Sequence, residues 1–399
     1  ASSRPPAASI DAALDSAWAA YARGEVGAAA ARAESLLAVR PAPPRATRVA
    51  LSLVAGRART DAGEPGRALV HLERALALGG ADPRARAWIL AYLGRARFAL
   101  GDHPGARAAL AAARALPERP PGSRAAPSGP SPPRRVADGD WLRFGFDTVY
   151  AGWLAAETAH LRVRASPRAP IGDLAAWAGE RERAIVRIAA TLGDTAAAAA
   201  PKRVDVFVWG SDDEARAAGL PRVRVARPAA GVTHMVWDQT VGHELAHVVV
   251  FRIVPPVRAH DLVNEGVAVW LDGSVEPHLE QATAALVAHD LAGVDLQALW
   301  RAWDALPVQV AYAVAGLAVE TIAARGGADR LRALLATQTL DDARRIYGPE
   351  LDDWLDDVER RLAARVAAVP PEARRRLRGG ARPSPPLVPA RDSSSRAPS

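Results

Sequence analysis

The chain has 399 residues, of which 49% are hydrophobic and 24% are charged, and this balance excludes a protein that is disordered throughout. It contains no cysteine, so disulfides, thiolate nucleophiles and thiolate metal ligands are excluded as well. Any metal ion must therefore be held by histidine and carboxylate groups. No continuous apolar run reaches about 18 residues, and we expect no transmembrane segment.

The basic residues outnumber the acidic ones, 51 to 44, which gives a net charge of +7. Lys202 is the only lysine, and the arginines are mixed with acidic residues along the chain except at 374–378. A nucleic-acid-binding protein would concentrate its arginines on one face, with aromatic residues between them. The sequence therefore predicts that nucleic acid is not a partner.

The N-terminal part of the chain, residues 10–117, contains a repeat. The segments that begin at Gly56 and Gly94 superpose at a period of about 38 residues. Small residues at fixed offsets allow two helices of a hairpin to pack closely, with a glycine at the turn between them. The matched pairs are Gly63 with Gly101, Ala68 with Ala106, Leu72 with Leu110 and Ala75 with Ala113, and a weaker first copy contributes Gly24, Ala29 and Ala33.

This region resembles tetratricopeptide repeats. Leu93 and Gly94 match the family's Leu-Gly pair, and Ala106, Leu110 and Ala113 match its series of small, large and small residues. The resemblance implies antiparallel helix pairs, stacked into a superhelix, which recruit a substrate or a protein partner. The first two copies lack the family's large aromatic residue in their first helix, and a generic helical bundle is the alternative.

Three other segments are predicted to lie outside packed domains. Residues 1–9 have the composition of a flexible leader, and a start at Ala1 fits a mature form whose targeting segment was removed. That start predicts export to the periplasm, the cell surface or the medium; a trimmed chain and a cytoplasmic location stay open. Residues 118–140 are predicted to be a Pro/Gly/Ser linker, and residues 369–399 a disordered basic tail.

The remaining segment, residues 141–368, has strand patterns first and helical patterns afterwards. The strand patterns lie at 157–165, 203–210 and 231–237. Two helical patterns, at 171–193 and 211–219, lie between the strands. After the third strand the chain has only helical patterns, at 239–253, 261–272, 277–291, 294–303, about 308–337, and 349–367. This order predicts an α+β fold rather than an alternating α/β fold.

The sequence "HELAH" at 243–247 is a candidate metal site. His243 and His247 are four residues apart, so on a helix they can offer their imidazoles to one ion. Two imidazoles suit zinc, which lowers the pKa of bound water to about 7. Glu244 lies at the flank of that face, where it can take a proton from the water without being a ligand. The alternative is a pair of histidines whose hydrogen bonds are satisfied in a protein core.

A catalytic zinc of this type requires a third protein ligand. Pro255 and Pro256 stop the first helix because proline lacks the N–H donor that a helix interior needs. A second helix can begin near Asp261, which is a favourable N-cap. Glu265 then lies on its second turn, where its carboxylate can face back toward the two histidines.

These motifs resemble the gluzincin metallopeptidases, especially the bacterial peptidase MA-like domains. The resemblance covers about residues 155–360, and 17 residues separate His247 from Glu265 within it. It implies one catalytic Zn2+ held by His243, His247 and Glu265, with Glu244 as general base and later proton donor. It also implies a thermolysin-like fold, in which a short sheet lies above the active-site helix, and peptide or protein substrates.

The expected activity is therefore that of a zinc metallopeptidase. An endopeptidase is preferred to an aminopeptidase, because no motif offers an acidic group that would capture a free amine. The alternative function is a protein-interaction module whose zinc domain has lost its peptidase activity, or does not use it. Intact Glu244 favours the enzyme, since a purely structural zinc site needs no such base.

Tyr312 is a further candidate catalytic residue. It lies 47 residues after Glu265, in a region where related aminopeptidases have a tyrosine that helps to bind the developing oxyanion. The spacing differs from theirs, and a tyrosine that packs and caps a helix start is the alternative.

Other residues near these motifs have weaker claims to a role in the site. His234 and His260 are expected at the surface or at the edge of the cleft. Asp272 is expected to solvate a helix end, or else to orient a ligand histidine. The strand at 231–237 is expected to lie beside the cleft and to hold an extended substrate by main-chain hydrogen bonds.

Overall fold

The N-terminal third of the structure is a row of six helices. The computed structural model describes residues 7–79, 82–116, 133–193, 203–257 and 259–380. The six helices are α1 (Ala7–Ala22), α2 (Val26–Ala38), α3 (Arg45–Asp61), α4 (Pro65–Leu78), α5 (Pro83–Ala99) and α6 (His103–Ala115). Gly24, Gly63 and Gly101 lie in the turns between paired helices, where the repeat pattern predicted them. The assignment of these pairs to tetratricopeptide repeats stays a prediction.

The repeat also explains how closely the paired helices pack. A Cβ atom added to Gly56 would lie 2.5 Å from the side chain of Leu72, and one added to Gly94 would lie 2.6 Å from that of Leu110. The same close contact therefore recurs in the second and third pairs, because a side chain at either glycine would push the helices apart.

The predicted linker is wrong over residues 133–140, which form most of helix α7 (Pro133–Arg143). Ala137 of this helix is fully buried, and Asp140 is 3% exposed and accepts a hydrogen bond from Arg95 Nε at 2.5 Å. The proline-rich composition hid about two turns of helix, whose buried face is held by this ion pair. Residues 118–132 of the predicted linker lie outside the described residues.

The two predicted terminal segments also need correction. Helix α1 begins at Ala7, inside the predicted leader 1–9, of which residues 1–6 lie outside the described part of the chain. Within the predicted tail, residues 371–380 form a helix that is tied back to the domain, since the guanidinium group of Arg374 donates to the carbonyl oxygen of Val366, which lies outside that tail. Residues 381–399 are outside the described range.

The second half of the chain begins with a mixed five-stranded sheet. Its strands are β1 (Leu154–Glu157), β2 (Leu161–Ala165), β3 (Val204–Trp209), β4 (Val225–Arg227) and β5 (Val232–Val236). Their order is β1-β2-β3-β5-β4, with β2, β3 and β5 parallel and the two outer strands antiparallel to their neighbours. The single strand predicted at 157–165 is instead a hairpin, because Thr158 N–H donates to Leu161 O at 3.0 Å and turns the chain.

Strand β5 corresponds to the predicted strand at 231–237, but its predicted place beside the cleft is wrong. It pairs with β3 on one side and with β4 on the other, so its main chain is used within the sheet. The last strand on that side is β4, which was not predicted because it has only three residues and each of them is half-buried.

Helices cover this sheet and complete the domain. They are α8 (Leu174–Thr191), α9 (Asp212–Ala217), α10 (His243–Ile253), α11 (Asp261–Trp270), α12 (His278–Ala288), α13 (Leu296–Arg301), α14 (Val308–Thr337), α15 (Leu340–Tyr347), α16 (Glu350–Ala368) and α17 (Pro371–Gly380). All of the predicted helices of this region are present, and α15 was not predicted. Strands followed by helices confirm the mostly helical α+β class.

Helix α14 is the longest in the described part of the chain. It bends at Gly327, whose φ of 80° and ψ of 165° are not helical. By length and composition α14 could cross a membrane, and 61% of its most apolar window is buried inside the protein. Burial of this kind is also what the core helix of a folded domain shows, so the predicted absence of a transmembrane segment stays a prediction.

His234 lies in the interior of the sheet, and its expected place at the surface or at the cleft edge is wrong. Its ring is fully buried and stacks on Phe207 with the ring centroids 4.8 Å apart. Trp209 Nε1 donates to His234 Nδ1 at 3.2 Å, and His234 Nε2 donates to the carbonyl oxygen of Arg143 at 3.0 Å. Burial lowers the pKa of His234 to about 3.

This histidine should make the protein less stable in mild acid. Below about pH 6.5 the unfolded chain protonates His234 but the folded protein does not, so the free energy of unfolding falls as the pH is lowered toward 3. In His234→Gln this linkage is absent. We therefore expect its free energy of unfolding to fall less steeply with decreasing pH than that of the wild type, by up to about 1.4 kcal/mol per pH unit over that window. Denaturant unfolding of both proteins at pH 7, 6 and 5 measures the difference, and parallel pH dependences would contradict it.

Candidate metal centre

Helices α10 and α11 carry the three predicted metal ligands and are held together at their ends. Helix α10 begins at His243, directly after Gly242. The N–H of Gly242 donates to the carbonyl oxygen of Asp272, just beyond α11, at 2.8 Å. A Cβ atom at Gly242 would lie 2.6 Å from the carbonyl oxygen of Leu271, so a larger residue would separate the two segments. The start of the histidine-bearing helix is thus fixed against the end of the glutamate-bearing helix.

The predicted ligands converge on one point. Glu265 Oε2 lies 3.5 Å from His243 Nε2 and 3.3 Å from His247 Nε2. One ligand atom from each of the three side chains lies within 4.8 Å of the other two. His243 and Glu265 are buried and His247 is half-buried. This group can hold a metal ion, as the spacing of the motifs predicted.

Within this group, Glu265 and His247 stabilise each other's charge. Burial disfavours a charge on His247, but the neighbouring Glu265 carboxylate outweighs it and raises the pKa of His247 to about 9. Burial also disfavours the charge on Glu265, but His247 and His243 hold its pKa well below its usual range. A metal ion that binds here would displace the proton of His247, and the site would then present two imidazole nitrogens and one carboxylate, a donor set that zinc commonly binds.

Glu244 lies beside this group without belonging to it. Its side chain is buried, and Glu244 Oε1 accepts a hydrogen bond from Gln239 Nε2 at 2.7 Å. Gln239 is held in turn by Arg181, which donates to its main-chain oxygen at 3.1 Å and stacks on Trp177. Sequence reasoning missed Gln239 and Arg181, although a glutamine just ahead of an apolar helix was a signal that could have been followed.

Tyr312, on helix α14, is the second predicted catalytic residue that the structure brings to the site. Its ring is 6% exposed and stacks against His243 with the ring centroids 5.9 Å apart. Its hydroxyl group hydrogen-bonds to Glu265. Burial and the nearby carboxylates Glu265 and Glu244 raise the pKa of Tyr312 above its ordinary value, so it stays a neutral hydrogen-bond donor.

His260 and Asp272 have structural roles at the two ends of α11. His260 is the N-cap, and its Nδ1 accepts a hydrogen bond from the N–H of Leu262 at 3.4 Å. The carboxylate of Asp272 accepts a hydrogen bond from the N–H of Ser274 at 2.7 Å. The alternative of a helix-end role for Asp272 is therefore the one that the structure supports.

A cleft of about 360 Å³ opens onto the candidate metal centre. One of its walls is strand β4 together with its flanking residues Arg224 and Pro228. Another wall comes from the helical repeats, which contribute Gly24, Val26 and Asp61. The sequence did not predict that the repeats reach the site, because no local pattern records which surfaces of two distant segments meet.

Comparisons with known proteins give no match, whether with protein-family models, with curated proteins or with solved structures. The functional inferences therefore depend on the geometry and the chemistry of this site.

Metal binding should depend on all three candidate ligands. We expect the wild type to take up one zinc ion per chain, and His247→Ala and Glu265→Gln to lose it, because either change removes a ligand. His160→Gln is the matched control, since His160 also pairs with a glutamate, Glu182, in a pair that offers no third ligand. Metal analysis after dialysis, with circular dichroism to verify folding, gives the stoichiometry. Zinc retained by Glu265→Gln would rule out this ligand set.

Proposed function

We propose that the protein is a zinc metallopeptidase of the gluzincin type, with a thermolysin-like catalytic domain. The observation that carries the proposal is the position of Glu244. This buried carboxylate lies next to a group of three metal-binding side chains, and Gln239 orients it. A site that served only to stabilise the fold would have no use for a further buried carboxylate that is not a ligand.

The side chains around the metal site have distinct tasks in peptide hydrolysis. When bound, zinc supplies Lewis acidity, which polarises the substrate carbonyl group and makes water easier to deprotonate. Glu244 accepts the proton of the attacking water and then delivers it to the leaving amine. Tyr312 donates a hydrogen bond to the carbonyl oxygen as negative charge develops there. Its raised pKa supports this task, because the hydroxyl group keeps its proton at neutral pH.

Strand β4 is the element best placed to hold an extended substrate. It is the last strand in the sheet order and lines the cleft beside the metal-binding residues. A peptide added at this edge would receive main-chain hydrogen bonds that do not depend on its sequence. The cleft continues past the metal site to the helical repeats, which favours an endopeptidase that binds residues on both sides of the cleaved bond.

Glu244→Gln tests the general base. We expect this variant to keep its zinc and to cleave a peptide library about 10²- to 10⁴-fold more slowly, because the amide cannot accept the proton. Glu182→Gln, which alters a carboxylate that pairs with His160, is the matched control and should retain cleavage. If zinc-loaded wild type cleaves no peptide, the interaction-module alternative gains support. If Glu244→Gln cleaves normally, the base is another group.

Tyr312→Phe separates an oxyanion donor from a packing residue. The variant keeps the ring that stacks on His243 and loses only the hydroxyl group, so metal content and thermal stability should change little. We expect kcat to fall about 10²- to 10³-fold, as for the loss of one oxyanion donor, with a much smaller change in KM. An unchanged kcat would assign Tyr312 to packing alone.

A further inference from the structure

A second cavity, of about 290 Å³, adjoins the cleft at the candidate metal centre. It lies where the repeat helices α1, α3 and α5 end, facing the 3-10 turn Pro228–Ala230 and helix α10. The two cavities are adjacent, since they share wall residues from both halves of the chain. The shared residues are Gly24, Val26, Asp61, Arg227, Pro228 and Phe251.

The walls of the second cavity offer apolar surface. Ala99, Phe144 and Ala229 line it beyond the shared residues. The charged side chains in the walls pair with other groups of the protein. Arg95 Nε donates to Asp140 at 2.5 Å.

Asp61 is bound in a similar way. Its carboxylate accepts hydrogen bonds from the hydroxyl groups of Tyr21 and Tyr92 and lies 4.0 Å from Arg95 NH1. A ligand with a net charge would have to compete with these groups, whereas an apolar group would not.

We propose that this cavity is a substrate subsite that takes one large apolar side chain. The inference rests on the proposed peptidase function, since the side chain belongs to a peptide whose backbone lies along strand β4. The volume of the second cavity is close to the lower end for small-ligand pockets, about 300 Å³, which suits a single bulky side chain.

The helical repeats, on this proposal, form half of a specificity pocket. Tyr21, Val26 and Ala99 come from the repeats, and Ala229 and Phe251 come from the catalytic half. The enzyme would therefore select peptides by a residue that contacts both halves at once. A catalytic domain without its repeats would lack that selection.

Ala229→Phe tests the subsite because Ala229 lines the second cavity and not the first. Ala217→Phe is the matched control, since Ala217 is exposed on α9 and lines neither cavity. The substrates are alanine-rich peptides in which one phenylalanine is moved along the sequence. Wild type should prefer phenylalanine to alanine at one position by at least about tenfold in kcat/KM. Ala229→Phe should lose most of that preference, and Ala217→Phe should retain it.

A binding measurement distinguishes a failed subsite from a failed enzyme. Zinc-loaded Glu244→Gln, with and without Ala229→Phe, is titrated with the same fluorescently labelled peptides, and anisotropy gives the Kd. Tighter binding of the phenylalanine peptides, lost on Ala229→Phe, supports the subsite even if wild type cleaves nothing. Cleavage without any positional preference overturns the subsite and leaves the peptidase function standing. If the peptides are neither bound nor cleaved, both the subsite and the peptidase function are overturned.

Discussion

The candidate site depends on the close approach of two helices, α11 and α14. At Gly266 of α11 a Cβ atom would lie 2.6 Å from the carbonyl oxygen of Ala315 on α14. At Gly316 it would lie 2.4 Å from a side-chain carbon of Val269, on α11. Such distances leave no space for a side chain at either glycine, so the two helices meet almost backbone to backbone. Glu265 immediately precedes one of these glycines, and Tyr312 lies one turn before the other. Their hydrogen bond follows from this crossing.

A cation would balance the buried acidic charge of this site. Glu244 and Glu265 are both buried, and burying two carboxylates side by side costs free energy that one nearby imidazolium offsets only in part. A protein core selected for stability alone would replace such a group with apolar side chains. The arrangement is therefore better explained by function, and a divalent ion between His243, His247 and Glu265 would balance the charge.

Local patterns predicted the ligands, because helix periodicity places residues four apart on one face whatever the rest of the fold does. The return of Glu265 was also predictable, since two prolines and an N-cap mark a short helical hairpin. The contacts between segments that are distant along the chain could not be predicted. Strand β5 was expected beside the cleft but lies inside the sheet, and its His234 is buried against Phe207, which lies far away along the chain. The helix at 133–143 was missed for the same reason, since its stability comes from contacts with the repeats, such as Arg95 with Asp140.

The helical repeats are in direct contact with the half of the chain that carries the candidate metal centre, and this contact bears on the role of the repeats. A Cβ atom at Gly63, in a turn of the repeats, would lie 2.5 Å from the ring of Phe251 on α10, the helix that carries both histidines. Elsewhere Arg162 of β2 reaches the ring of His103 at the start of α6, at 3.0 Å, while also pairing with Asp205 at 2.8 Å. The repeats thus pack directly on the helix and the sheet that build the site. A recruiting module on a free tether would not pack on the helix that carries both histidines. The repeats are better understood as a wall of the cleft, so that the partner they bind and the peptide that is cut would be one molecule.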